Sequence, residues 1–132
     1  MKHIARLLVG LIGTVSVLMA LALWFNMEAL VPQLGIVPMG TLGRATVRAD
    51  IAGLFMGIGL MMTMAAWKMS RSWAYGALVL VGSAVAGRLA GVLVDGGSPE
   101  IWPPILIEAL AILILLWARS IWRMEYPRAE IA

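Results

Sequence analysis

The chain predicts an all-α fold, an integral membrane four-helix bundle, and three observations carry that reading. Hydrophobic residues make up 62% of the 132 residues and charged ones 13%, against about 45–50% and about 25% in soluble domains. The apolar residues gather into four long runs separated by short polar or Pro/Gly-rich stretches. All six tryptophans (Trp24, Trp67, Trp73, Trp102, Trp117 and Trp122) fall near the ends of those runs, where interfacial indoles belong. Mean hydropathy is +0.95. A water-soluble core cannot absorb that much apolar surface in one small domain, so lipid must solvate part of it.

Inventory excludes several functions. The net charge of +3 comes from basic residues at the ends of the runs, which membrane topology explains better than nucleic-acid binding. The chain has no cysteine, which removes disulfide frameworks, thiol nucleophiles and dithiol exchange. Its only histidine is His3, so buried bis-histidine haem and histidine-rich metal sites are excluded too. Met56, Met61, Met62, Met64 and Met69 cluster loosely; without cysteine or intramembrane histidine, thioether packing explains them better than copper. No cofactor and no metal is expected.

Residues 1–132 read as a single four-span domain. The first span covers about 4–25, long enough for the ~30 Å hydrocarbon core and long for a signal peptide, although Ala20-Leu21-Ala22 loosely resembles a cleavage site. Pro32, Gly35, Pro38 and Gly40 punctuate the loop from Asn26 to Gly43; within it, MEALVPQLGI is amphipathic and suited to the interface. The second span covers about 45–67, with a polar turn at 68–72. The third covers about 73–94 and leads into the tight loop Asp95-Gly96-Gly97-Ser98-Pro99. The fourth covers about 103–118, opening on Pro103 and Pro104, which suit a first helical turn because no N–H is needed there. A basic tail begins at Arg119 and reads as a topology determinant or a contact for anionic lipid.

Lys2, Arg6, Lys68, Arg71, Arg119, Arg123 and Arg128 fall on one side of the membrane. The loops of the other side hold Arg44 as their only basic residue, with Glu28, Asp95 and Glu100. Basic residues mark the cytoplasmic face, so both termini are expected there.

Four ionisable residues remain inside the spans: Arg48, Asp50, Arg88 and Glu108. Counted from the outer ends of their helices at 1.5 Å per residue, they lie ~7–10 Å below the outer surface. Asp95 follows Arg88 by seven residues, on the same face one layer further out. Each charge left facing lipid would cost ~2.5–3.5 kcal/mol, so mutual pairing in one polar layer is expected. That layer either sets helix register structurally or lines a pocket for a ligand's polar end. A proton path fits less well, because the cytoplasmic halves of the spans carry no charge. Gly53 and Gly57 in the second span, and Gly87 and Gly91 in the third, form small-xxx-small patterns expected to pack helices closely around the layer; Gly10 and Gly13 serve the first span. The fourth span has few small residues and is expected to be the most lipid-exposed.

Two stretches together resemble a known family. One is Arg48-Ala49-Asp50-Ile51-Ala52-Gly53-Leu54; the other is Gly87-Arg88-Leu89-Ala90-Gly91 with Asp95-Gly96 and, later, Glu108. The chain is similar over essentially its whole length to an uncharacterised family of small bacterial four-helix inner-membrane proteins, DoxX-like in general form, a domain of unknown function. In that family the second helix often opens Glu-Leu-Arg-Ala. Here Thr46 and Val47 stand before Arg48 and Asp50 follows it, leaving the partner of Arg48 open. The resemblance implies a fold and no activity.

Two function classes fit. The first is a non-enzymatic membrane protein, either an accessory subunit of a larger membrane complex or a binder of a lipid-like molecule through the polar layer. The alternative is an integral-membrane enzyme or redox component acting on a lipid or quinone, with Asp50 or Glu108 as general acid/base. The absence of thiol, intramembrane histidine and cofactor motif favours the first. Membrane lipid, and possible further subunits or a second copy of the chain, are the expected partners; nucleic acid is not.

Overall fold

The computed structural model describes residues 1–122; the tail positions Arg123 and Arg128, counted with the basic side, lie outside the described residues. Among the described residues, four helices are long and apolar enough to cross a membrane. We label them α1 (Lys2–Phe25), α2 (Gly40–Lys68), α3 (Arg71–Asp95) and α4 (Trp102–Ile121). No strand occurs among the described residues. The chain is therefore an all-α, multi-pass membrane protein.

Local chemistry sets where each helix stops. The Asn26 N–H bonds back to the Ala22 carbonyl at 2.7 Å and closes α1. One helical turn, Met27–Leu30, and one 3-10 turn, Val31–Leu34, come next; Pro32 opens the latter and Gly35 ends it at φ 70°. The helix α2 begins at Gly40, earlier than the loop boundary expected at Gly43. Met69 ends α2 in the left-handed region, φ 47°, with the Ser70 N–H bonded to the Ala65 carbonyl at 3.1 Å. Only Met69 and Ser70 separate α2 from α3, so these two helices must lie antiparallel side by side. Gly96, φ 87°, closes α3, and Pro103 and Pro104 occupy the opening turn of α4.

The helices form a ring in chain order, with α4 closing onto α1. One end, the basic end, carries Lys2, Lys68, Arg71 and Arg119. There the Lys68 ammonium lies 5.9 Å from the centre of the Trp73 ring and the Arg119 guanidinium 5.3 Å from that of Tyr75, cation–π contacts that suit an interface. The larger core cluster runs from this end towards the middle through Ala5, Val9, Met62, Ala65, Ala74, Ala77, Leu115 and Ala118. Alanine at so many positions lets the backbones approach, the usual basis of helix association in lipid. Trp122 belongs to this core, with 3% of its surface exposed, and is not part of an interfacial belt.

The opposite, far end is built differently. Leu23, Met27, Val31, Val47 and Ala52 form a second apolar cluster. The amphipathic loop segment thus tucks Met27 and Val31 against α1 and α2.

The closest helix contact is α1 against α2, and it is made by Gly13, expected to serve the first span, and by Gly59, which lies outside the small-xxx-small pairs. A Cβ on Gly13 would lie 2.9 Å from both the Met62 Cβ and the Thr63 nitrogen; one on Gly59 would lie 2.7 Å from the Val17 nitrogen and 2.8 Å from the Gly13 carbonyl oxygen. By contrast, a Cβ on Gly53, Gly87 or Gly91 meets nothing within 4 Å, and one on Gly57 meets only the Leu80 Cδ1, at 3.4 Å. Gly53, Gly87 and Gly91 therefore leave space open instead of joining helices, and of the small-xxx-small residues Gly57 alone faces a neighbouring helix, at Leu80 of α3. A second correction concerns exposure. Within the most apolar 18-residue window of each helix, 11% of residues are buried in α3 and 22% in the fourth span. The least covered helix is α3, because its buried residues, Ala74, Ala77 and Val81, all lie in its first half. Beyond Val81 the bundle opens.

Candidate functional site

The opening at the far end is where the intramembrane charges lie. In α3 and α4, antiparallel neighbours, Arg88 precedes the end of its helix by about two turns and Glu108 comes after the start of its own by about as much. Counting alone brings them to one depth. They meet: Arg88 Nε donates to Glu108 Oε1 at 3.1 Å and Oε2 at 3.2 Å. One nitrogen serves both carboxylate oxygens, so the guanidinium's Nη groups make no hydrogen bond among the described residues. The pair is partly covered, with side-chain exposure of 36% for Arg88 and 20% for Glu108.

The other two charges take separate paths, because side chains two residues apart on a helix face opposite sides. Residues Val47–Ile51 form a π-helical turn within α2. Such a turn holds one residue more than an α-turn and rotates the helix on its N-terminal side relative to the helix on its C-terminal side. Arg48 is carried towards α1: its Nε donates to the Trp24 carbonyl at 3.4 Å, while Trp24 Nε1 donates to the Arg48 carbonyl at 3.0 Å. The partner of Arg48 is therefore the C-terminal end of α1, where carbonyls carry partial negative charge. Asp50, in the same turn, has neither hydrogen bond nor ion pair among the described residues. Asp95, the last residue of α3, is exposed and likewise makes no ion pair among the described residues. Arg44 pairs with Glu28 at 3.0 Å, with side chains 51% and 76% exposed, an exposed contact of little energetic weight that ties the loop to α2. The expected four-residue layer is thus one ion pair, one arginine on a helix end and one free carboxylate.

Around the Arg88–Glu108 pair lies a cavity of about 930 Å³. Asp50, Arg88 and Glu108 line it, and Arg48 and Asp95 do not. Its apolar wall is Ile51, Leu54, Phe55, Ile58 and Ile107, and Gly87 contributes bare backbone. Its mouth carries three polar residues that the sequence reading passed over as site residues: Gln33 from the loop after α1, and Ser98 and Glu100 from the link between α3 and α4. Glu100 offered a signal, a carboxylate just ahead of the prolines that start a helix. The π turn offered none. Among the described residues no group of three or more His, Cys, Asp or Glu is arranged to hold a metal ion.

Four apolar helices closed in a ring, with a charged cavity opening at one end, define a small multi-pass membrane protein. The chain belongs to the family described as Domain of unknown function (DUF4345), whose family model matches residues 4–119. No curated protein and no solved structure matches it.

Proposed function

We propose that the protein is a non-enzymatic binder of a lipid-like amphiphile, held in the far-end cavity of a bundle that sits in the bacterial inner membrane with both termini in the cytoplasm. The supporting observation is the cavity itself: an apolar wall at acyl-chain depth beneath an arginine whose Nη groups are unengaged. Pockets of this size, mostly apolar with a few convergent polar groups, suit small-molecule ligands. The half of α3 beyond Val81 is uncovered and offers a face to a neighbouring subunit's helix, which supports a role as an accessory subunit.

Native mass spectrometry of the protein released from its own membrane is expected to retain an amphiphile of constant mass. Gly87→Phe tests the place. The site is open around Gly87, so the ring enters the cavity without displacing a helix; the variant is expected to fold normally and retain nothing. A folded Gly87→Phe protein carrying the same molecule would overturn the reading.

The orientation has its own test. Reporter fusions at Ser70 and at Gly97 are expected to report the cytoplasm and the outer face respectively, because Lys68 and Arg71 flank the first site and no Lys or Arg lies within several residues of the second. Reports from the same side would contradict the four-span topology.

A further inference from the structure

Resting on that reading, we infer that the cavity selects an amphiphile whose head carries a hydrogen-bond-donating ammonium group. The cavity's ionisable groups are three carboxylates, Asp50, Glu100 and Glu108, against one guanidinium, Arg88. Glu108 is engaged by Arg88. Asp50 has no partner among the described residues, so the cavity retains an excess of negative charge. A purely anionic head would meet that excess at close range and be repelled by it. An ammonium head removes it.

The acceptors also distinguish kinds of ammonium. A primary ammonium has N–H donors to place, and the carboxylates of Asp50 and Glu100, together with the Ser98 hydroxyl, offer acceptors. A quaternary ammonium has no donor and is recognised by aromatic faces; among the described residues Phe55 is the only aromatic side chain in the lining. The unengaged Nη groups of Arg88 can meanwhile take an anionic group on the same head, so a zwitterionic head is accommodated without leaving either charge unpaired. The ammonium could come from an aminophospholipid or from a long-chain amine, and the cavity chemistry is shared by both.

The test is lipid competition on the full chain in mild detergent, read by native mass spectrometry. The probes are dioleoyl phosphatidylethanolamine, phosphatidylcholine and phosphatidylglycerol, with oleylamine as a fourth arm. Phosphatidylethanolamine, oleylamine or both should be retained about tenfold or more over phosphatidylcholine and phosphatidylglycerol, the scale of one charge-assisted hydrogen bond; which of the two prevails identifies the source of the ammonium. Asp50→Asn should erase that preference, and a melting temperature near wild type shows the variant folded, since Asp50 has no partner among the described residues whose loss would unfold the protein. Equal retention of phosphatidylcholine, preference for phosphatidylglycerol, or an unchanged preference in folded Asp50→Asn overturns the inference and leaves amphiphile binding standing. Retention of none of the four by a folded wild-type protein overturns both.

Discussion

Gly59→Leu is expected to abolish the folded bundle. A Cβ at Gly59 already falls 2.7 Å from the Val17 nitrogen and 2.8 Å from the Gly13 carbonyl. Both are backbone atoms and cannot rotate aside, so α1 and α2 must separate. Overpacking a core typically costs about 1–3 kcal/mol, and a clash of backbone against backbone belongs at or beyond the top of that range. The effect spreads, because the α1–α2 contact is the closest in the ring and the Met27–Val31 segment packs on both helices. Thermal melting in detergent and the size-exclusion profile are the readouts. Gly53→Ala and Gly91→Ala are the controls: with nothing within 4 Å of the added carbon, each should be neutral or stabilise by up to ~1 kcal/mol through helix propensity. Equal damage in both sets would show that the helices are packed through the other glycines.

Arg88→Met is expected to have the second-largest effect. It strands Glu108 as an unpaired carboxylate at membrane depth, and breaking a fully buried pair in this way costs ~3–5 kcal/mol. Partial exposure, 36% and 20% for the two side chains, puts this pair at the lower end, about 3 kcal/mol. The double variant Arg88→Met with Glu108→Gln should recover most of the loss, since no charge is left stranded. Asp50→Asn alone should change stability by less than about 0.5 kcal/mol, as an exposed position without a partner usually does. Combining all three separates structure from binding. If the charges only set register, the triple variant melts near wild type and complements a deletion strain. If they hold a ligand's head, it melts near wild type, retains no amphiphile and fails to complement, which is the expected outcome.

Depth was legible in the sequence and azimuth was not. The four runs, the prolines opening α4 and the level of Arg88 and Glu108 all come from counting residues along helices, and counting needs no knowledge of which face meets which. Faces are harder in lipid, because a side turned to a neighbour and a side turned to acyl chains are equally apolar, and the pattern therefore does not alternate. Glycine spacing suffers most. Gly53, Gly57, Gly87 and Gly91 have the same spacing whether they join helices or leave a gap; Gly13 was legible as a packing position of the first span, but its counterpart Gly59 belongs to no such pair. The π turn adds a phase error that a regular 3.6-residue period cannot reveal. Arg48 and Asp50, two residues apart, face opposite sides of any helix, but which side meets α1 and which the cavity depends on that phase: Arg48 reaches Trp24 and Asp50 lines the cavity. The polar mouth was missed for a related reason: Gln33, Ser98 and Glu100 come from two connecting segments whose meeting depends on how the loop after α1 folds back.

The most direct test of amphiphile binding in the far-end cavity is photocrosslinking in native membranes. The probes are phosphatidylethanolamine and phosphatidylglycerol carrying a diazirine in the upper acyl chain, with labelled residues mapped by peptide sequencing. Binding in the cavity predicts saturable labelling of Leu54, Phe55 and Ile107 by at least one probe, competed away by excess unlabelled lipid and lost in Gly87→Phe. Labelling by both probes that never saturates and spreads evenly over the lipid-facing residues of all four helices would contradict it.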